Sequence, residues 1–98
     1  MHIKIHKSYR NVVSLCDSDL IGKKFESGKL QLDVRESFYK GEEIEKQEIL
    51  QILKSQTIED ATFNIVGKKS IQTAEEAGII SEMNISQIAE IPFALTLL

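Results

Sequence analysis

The alternation of hydrophobic and polar positions changes period along the chain, from the spacing of strands to that of helices. Near the start, Ile3 and Ile5 alternate with polar residues, which predicts a half-buried strand. A second, more buried strand is predicted over residues 11–15. Alternation over residues 29–35 predicts a third strand with one polar face. The apolar residues of 45–56 then follow helical spacing, which predicts an amphipathic helix with acidic residues before its first turn.

The second half of the chain continues with shorter elements. A strand is predicted over residues 61–66 and a helix over 68–77, with Gly78 as its left-handed cap. Residues 85–89 and 94–98 are strand candidates on either side of Pro92, which is expected to block a continuous central strand. The order β-β-β-α-β-α-β, with or without a split last strand, predicts the α+β class: a mixed β-sheet with two helices packed on it.

Composition narrows this prediction to one globular domain, over residues 1–98. The chain is 42% hydrophobic and 28% charged, and it contains no apolar run long enough for a membrane span. Cys16 is the only cysteine, so no internal disulfide is possible. Because the first residues alternate at once and do not resemble a signal peptide, we expect a cytoplasmic protein.

The charge is distributed unevenly about a net value of -3. Residues 1–40 carry eight Lys/Arg and five Asp/Glu, whereas residues 41–98 carry four Lys and ten Asp/Glu. Such an asymmetry either reflects solvated surfaces of no special role or places one basic face on an acidic molecule. The basic face would suit an anionic partner.

The segment 16–25 joins two predicted strands and carries the first candidate chemistry. Cys16 precedes Asp17, and a neighbouring carboxylate raises the pKa of a thiol, so we expect a packing cysteine and no nucleophile. Asp17 and Asp19 are spaced for a cap or an Asx-turn, whereas the remaining ligands of a calcium loop are missing. We therefore predict neither a metal site nor a cofactor here.

The same segment ends in a glycine, two lysines and an aromatic residue. Gly22 is expected to adopt a positive φ and Phe25 to anchor the loop in the core. Lys23 and Lys24 are either solvated or meet an anion such as an RNA phosphate. The match to a nucleotide-binding P-loop is poor, because no Ser or Thr follows the lysine.

A second glycine-lysine junction follows the strand at 61–66. Asn64 and Gly67 are candidates for shaping a loop, and Gly67 leads into a helix that begins with Lys68 and Lys69. Free N–H groups at a helix start can hold an anion, while lysines there oppose the helix dipole slightly. The two lysines are thus either kept for a ligand or ordinary surface residues.

Other polar and aromatic residues add no catalytic site. His2 and His6 are too far apart on an extended strand to share a zinc ion, and we expect both to be solvated. No Ser, His and Asp set has a nucleophile motif around it. Phe38 and Tyr39 precede a helix and are expected to pack it onto the sheet, the alternative being base stacking.

An ordered set of motifs resembles an archaeal family known as domain of unknown function 424. The motifs are Cys16-Asp17 with Leu20-Ile21-Gly22-Lys23-Lys24-Phe25, Ser37-Phe38-Tyr39-Lys40-Gly41-Glu42, Asn64-Ile65-Val66-Gly67, Glu76-Ala77-Gly78-Ile79-Ile80 and Ile91-Pro92. The resemblance implies a small cytoplasmic α+β protein from an archaeon, with no established catalytic residues and an association with translation. The tail departs from the family pattern, because Ala89 and Glu90 stand where Gly-Gly is usual and Phe93 stands where a histidine is usual.

Three functions follow from these observations. The leading prediction is a non-enzymatic module that binds RNA or a ribonucleoprotein of translation, with Lys23, Lys24, Lys68 and Lys69 as phosphate contacts. The second is a protein-interaction module or a homodimer that pairs through residues 91–98, the apolar run that begins with Ile91 and ends with Leu98. The third is an enzyme for a small anionic substrate bound at the loop between Cys16 and Lys23.

Overall fold

The computed structural model describes residues 1–96 and consists of eight strands and three helices over that range. The elements, in chain order, are β1 (His2–His6), β2 (Val12–Cys16), β3 (Lys24–Ser27), β4 (Leu30–Asp33), α1 (Glu36–Tyr39), β5 (Glu42–Glu43), α2 (Lys46–Ile58), β6 (Thr62–Val66), α3 (Lys68–Glu76), β7 (Ile85–Ile88) and β8 (Ile91–Thr96). Single turns of 3-10 helix lie at Ser18–Leu20 and Glu82–Asn84. The α+β class predicted from the hydrophobic pattern is confirmed.

Six strands form one mixed sheet in the order β5-β1-β2-β6-β8-β7. β2 and β6 are parallel, with Ser14 opposite Asn64, and the other pairs are antiparallel. Because β2 and β6 run in the same direction, their carboxyl ends meet at one edge of the sheet. The loops that follow these two strands therefore lie side by side.

One face of the sheet is covered by α2 and α3. Leu15 and Ile65 point to this face and pack against Ile49 and Leu53 of α2, all of them buried. Successive residues of a strand point to opposite faces, which is why alternation in the sequence identified these strands. This larger of the two apolar clusters is the main core.

The opposite face is covered by the β3–β4 hairpin and by α1. Cys16 and Val66, at the ends of the parallel strands, pack here against Leu20, Val34 and Tyr39. The sheet is therefore the middle layer of three, with helices on one side and a hairpin and a short helix on the other. The predicted architecture had helices alone as covering elements.

The predicted third strand is real but lies in a different sheet. Residues of β4 fall within the predicted 29–35, yet β4 pairs with β3 in a separate two-stranded sheet. The turn at Gly28, with a φ of 61°, reverses the chain between them. The predicted order β-β-β-α-β-α-β therefore omitted β3, α1 and β5, whereas its alternative of a split last strand is found as β7 and β8.

The expectation that His2 and His6 are solvated is wrong. The segment that contains α1 lies over their face of β1, where His6 Nε2 is 2.9 Å from the carbonyl oxygen of Phe38 and the two rings stack with centroids 4.4 Å apart. His2 Nδ1 lies 3.1 Å from the carbonyl oxygen of Gly41. Both histidines thus help to attach α1 to the sheet.

Pro92 lies inside β8, an internal strand, contrary to the expectation that it blocks one. Its carbonyl accepts a hydrogen bond from the amide of Gly67 at 2.9 Å. A proline has no N–H with which to donate a hydrogen bond to the carbonyl of Gly67. That carbonyl accepts instead from the amide of Ile71 in the first turn of α3, also at 2.9 Å. The missing donor therefore leaves no acceptor unpaired.

The position of β8 also removes the edge strand on which the homodimer prediction rested. Residues 91–96 pair with β6 on one side and with β7 on the other. Leu97 and Leu98, the last residues of the predicted 91–98 strand, lie outside the described part of the chain.

In the described range, α2 is the longest helix at 13 residues, and no helix is long and apolar enough to cross a bilayer.

Candidate functional site

A cleft opens at the edge where the carboxyl ends of β2 and β6 meet. Ligands of open α/β sheets commonly bind outside the carboxyl ends of parallel strands, where the chain leaves in two directions. The cleft has a volume of about 620 Å³. Its lining is formed by Met1, Asp17, Ser18, Asp19, Leu20, Lys68, Lys69 and Ile91. Part of the 16–25 segment and the second glycine-lysine junction thus share one surface.

Asp17 caps α3 from the end of the neighbouring strand. Its Oδ1 accepts hydrogen bonds from the amide and the hydroxyl of Ser70 at 2.8 and 2.7 Å, and its Oδ2 accepts from the amide of Lys69 at 3.1 Å. The side chain is only 8% exposed. A carboxylate at this position satisfies free N–H groups and complements the positive end of the helix dipole.

Gly67 makes this approach possible. It adopts a φ of 106°, and a Cβ built on it would lie 2.3 Å from Cγ of Asp17. Any side chain at position 67 would therefore collide with the capping carboxylate. Asp17 and Gly67, both predicted to shape loops, shape one junction together.

The amides at the start of α3 are not free for an external anion, because Asp17 already occupies those of Lys69 and Ser70. An external anion would have to displace a buried carboxylate that has three hydrogen bonds. The ammonium groups of Lys68 and Lys69 are a separate matter. Both side chains are exposed, and within residues 1–96 neither forms an ion pair.

The first glycine-lysine junction lies beside the cleft but does not line it. Gly22 has a φ of 83° and donates a hydrogen bond to the carbonyl of Val34 at 2.7 Å. Phe25 packs against the cluster on the hairpin side of the sheet. Lys23 and Lys24 are exposed, and neither forms an ion pair within the described chain.

Asn64 differs from the expectation that it shapes a loop. It lies in the middle of β6, opposite Ser14 of β2 and Leu95 of β8. Its side chain is on the hairpin side of the sheet, away from the cleft, and lines a smaller cavity near α1. The sequence motif around Gly67 therefore divides between two surfaces.

Cys16 is placed for packing and not for catalysis. It is fully buried, and burial first, then the charges of Asp17 and Asp19, raises the pKa of its thiol to about 12. The thiolate, which is the reactive form, is therefore negligible near neutral pH. This agrees with the packing role expected from the sequence.

A hydrogen-bonded group beside the cleft was not predicted. Ser18, in the cleft, donates to Glu43 of β5, whose Oε2 lies 3.6 Å from Nε2 of His2. The hydrogen bond from Ser18 lowers the pKa of Glu43, with a smaller contribution from His2. In a hydrolase triad the imidazole lies between serine and acid. Here the carboxylate lies between them, so Ser18 is not activated.

The residues missed by sequence reasoning are polar partners of known motif residues. Ser70 follows the two lysines directly and supplies the hydroxyl that holds Asp17. Glu43 follows the aromatic motif and reaches Ser18 across the sheet edge. Within residues 1–96, no three His, Cys, Asp or Glu side chains converge in a way that would hold a metal ion.

Comparison with known proteins identifies similar proteins whose function is not established. The model of the family described as protein of unknown function (DUF424) matches residues 6–97. No curated protein matches the chain. The crystal structure of an uncharacterized conserved protein from Methanopyrus kandleri has the same fold, with a TM-score of 0.87 over 97% of this chain and 88% of that chain at 23% identity. The chain therefore belongs to the DUF424 family.

Proposed function

We propose that the protein is a non-enzymatic module that binds RNA, either free or within a ribonucleoprotein, by contacting phosphates. Lys68 and Lys69 in the cleft are the principal contacts, and the exposed Lys23 and Lys24, a few residues after the cleft residue Leu20, are the additional ones. The observation that carries this proposal is a pair of ammonium groups that have no ion-pair partner among residues 1–96, in a cleft of about 620 Å³. The implied association of the family with translation makes ribosomal RNA the first RNA to test.

The orientation of the nearby acid supports an anionic partner. Asp17 lines the cleft, but its oxygens face the amides and hydroxyl at the start of α3. Asp19 is the exposed acid in the lining, against two exposed lysines. Lysines attract phosphate as mobile point charges without a fixed geometry, which suits contact with a nucleic-acid backbone of any sequence.

The chemistry of the cleft favours binding over catalysis. The buried thiol of Cys16 has a pKa of about 12, so it offers no nucleophile at neutral pH. The carboxylate of Asp17 is held by three hydrogen bonds and is not free to accept a proton from a substrate. The predicted pairing of Asp17 or Asp19 with Lys23 finds no support, since Lys23 lies outside the lining.

The test is the salt dependence of RNA binding. Each phosphate contact contributes about 0.7 to the slope of log K against log salt for single strands. We expect the double variant Lys68→Ala/Lys69→Ala to reduce that slope by about 1.4 and Lys23→Ala/Lys24→Ala to reduce it further. Fluorescence anisotropy with a labelled ribosomal RNA fragment over a salt series measures the effect.

A matched double variant of equal charge provides the control. Lys7 lies in the turn between β1 and β2, and Lys54 lies near Gln56, which is hydrogen-bonded to Asn11 before β2. Both are exposed and lie toward the end of the sheet opposite the cleft. The variant Lys7→Ala/Lys54→Ala should leave the slope unchanged. A flat salt response of the native protein, or equal losses in the control, would disprove phosphate contact in the cleft.

A further inference from the structure

A second, smaller cavity lies on the hairpin side of the sheet. It has a volume of about 240 Å³ and is lined by Asp33, Arg35, Phe38, Tyr39 and Asn64. These residues come from the end of β4, from α1 and its start, and from the centre of β6. The cavity is smaller than the pockets that enclose drug-sized molecules, so it suits a single flat ring system.

Asn64 is the unusual residue of this cavity. Its side chain is half-buried in the middle of an internal strand, yet its carboxamide makes no hydrogen bond within the described residues. The other two asparagines differ, because Asn11 donates to Gln56 and Asn84 accepts from Ser81. No side-chain N or O atom of the described residues is both buried and unpartnered, so solvent reaches the Asn64 carboxamide and a ligand in the cavity can do the same.

The surrounding groups offer hydrogen bonds of both kinds and an aromatic wall. The hydroxyl of Tyr39 carries its proton at neutral pH and can donate, and burial raises its pKa further, to about 12. Arg35 Nε lies 3.8 Å from Asp33 Oδ2, and both side chains are largely exposed. Because the ion pair is long and solvated, the guanidinium and the carboxylate both remain available to a ligand.

These features match the chemistry of a nucleobase. A carboxamide donates and accepts along one edge, as the edges of bases do, and asparagine pairs in this way with adenine. Phe38 supplies an aromatic surface, and the guanidinium of Arg35 can stack on a base. A carboxylate in the lining disfavours a bare phosphate. An unstacked base is therefore a better fit than a phosphate group.

We propose that this cavity binds one unstacked nucleobase, with the carboxamide of Asn64 hydrogen-bonded to the base edge. The proposal rests on the proposed function, because it adds a base contact to an RNA whose phosphates lie on the lysines. It also makes a separate claim, since a nucleoside without phosphate should occupy the same cavity. The two proposals can therefore fail independently.

The experiment is an NMR titration of the 15N-labelled protein with each of the four ribonucleosides. Ribose 5-phosphate is the matched probe that lacks a base. We expect at least one nucleoside to shift the side-chain amide pair of Asn64 and the backbone amides of its neighbours, while ribose 5-phosphate leaves them unchanged. Shifts with ribose 5-phosphate alone, or no shifts with any nucleoside, would overturn the proposal.

Two variants separate binding from folding. Asn64→Leu removes an amide that has no protein partner, so the free energy of unfolding should hold or rise, while nucleoside affinity falls about tenfold or more. Thr62→Ala, on the same face of β6 but outside the cavity lining, should bind as the native protein does. Equal affinities of Asn64→Leu and the native protein would overturn the proposal.

Tyr39→Phe provides a second test that does not touch the sheet. It removes one hydroxyl from the cavity and should weaken nucleoside binding severalfold. The variant Lys68→Ala/Lys69→Ala should leave the nucleoside titration unchanged even where it weakens RNA binding. RNA binding without any nucleoside response would disprove the base contact alone. Nucleoside binding without salt-dependent RNA binding would disprove the phosphate contacts alone.

Discussion

Two residues in the turn between β7 and β8 hold an unfavourable backbone conformation. Ala89 and Glu90 have φ values of 49° and 67°, although neither is a glycine. A two-residue hairpin turn with positive φ at both positions is the type I′ pattern, which strongly favours Asn-Gly. Each side chain in this region costs about 1–2 kcal/mol. The family resemblance implies Gly-Gly here, and a pair of glycines would adopt these φ values without that cost.

Replacing these two residues should stabilise the protein. We expect Ala89→Asn/Glu90→Gly to raise the free energy of unfolding by about 1–2 kcal/mol, because both new residues tolerate the left-handed region. Urea denaturation of the two proteins measures the difference. Glu48→Gly, an equivalent change at an exposed position within α2, should destabilise by about 1 kcal/mol. A loss of stability in the turn variant would show that the turn is not strained.

Single residues were predicted well where local chemistry decides and poorly where distant partners do. A positive φ at Gly22 follows from its place in a tight loop, and the buried thiol of Cys16 follows from its strand and its acidic neighbour. A cap or an Asx-turn was expected for Asp17, but the helix that it caps was beyond reach, because its partner Ser70 is 53 positions away. Spacing along a chain does not reveal which amides a carboxylate meets across a sheet.

At the scale of elements, the junction of β2 and α3 depends on one carboxylate and one glycine. Asp17 accepts three hydrogen bonds from the first turn of α3, and Gly67 leaves room for it. Charged hydrogen bonds of this kind stabilise by roughly 1.5–3 kcal/mol each. The start of α3 is thus attached to the end of the neighbouring strand, and Lys68 and Lys69 are held at the rim of the cleft.

A double-mutant cycle tests this attachment. Asp17→Ala should cost about 3 kcal/mol, and Gly67→Ala should cost about as much, since it adds a steric overlap to an unfavourable φ. In the double variant the overlap is absent, so the summed cost should fall short of additivity by about 1 kcal/mol or more. Unfolding free energies of the four proteins measure the coupling.

Ser70→Ala is the control for that cycle. It removes only the hydroxyl that bonds to Asp17 and should cost about 1 kcal/mol. Combined with Gly67→Ala it should couple more weakly than Asp17→Ala does, because the carboxylate that meets the new side chain is still present. Strict additivity of Asp17→Ala with Gly67→Ala would mean that the carboxylate and the glycine do not meet.

Element types were predictable from periodicity, but their partners were not. The helices at 45–56 and 68–77 lie where α2 and α3 are found, within two residues at each end. The β3–β4 hairpin was assigned in part to the main sheet, because alternation shows that one face is buried without showing against what. Pro92 led to a wrong expectation for β8. The carbonyl of Gly67, which an N–H at position 92 would otherwise have bonded, accepts a hydrogen bond from α3 instead.

At the scale of the molecule, two buried groups on the hairpin side of the sheet, the thiol of Cys16 and the hydroxyl of Tyr39, make stability fall at high pH. Burial raises the pKa of Cys16 from 9.0 to about 12 and that of Tyr39 from 10.0 to about 12. The folded state therefore holds these protons more firmly than the unfolded state. Their contribution to stability is complete below about pH 9 and is lost as the pH rises from there toward 12.

Stability should therefore fall on the alkaline side at up to about 1.4 kcal/mol per pH unit for each group. In Cys16→Ala the decline should begin about one unit later, near the ordinary pKa of 10.0 for tyrosine. Urea unfolding between pH 8 and 11 measures the difference between the two slopes. Tyr9→Phe, at an exposed tyrosine, should follow the native curve. Identical curves for Cys16→Ala and the native protein would contradict the thiol's contribution.

The three-layer arrangement explains why the sequence could give the class of the fold and not the location of its surfaces. Both faces of β2 and β6 are covered, so apart from Asn64 their residues are apolar or small on either side and give no sign of which cover lies where. The cleft and the cavity at Asn64 share no lining residue. The cavity at Asn64 does not exist until β4 and α1 have packed on the sheet, and the cleft needs the ends of β2 and β6 side by side.

The contact between Asp17 and Gly67 also constrains the history of the family. Because a Cβ at position 67 would lie 2.3 Å from Cγ of Asp17, the two positions cannot drift separately. A relative with a side chain at position 67 would need a shorter side chain at position 17. The two columns of an alignment should therefore covary, and the pair would mark the same strand-to-helix joint in descendants too diverged to recognise otherwise.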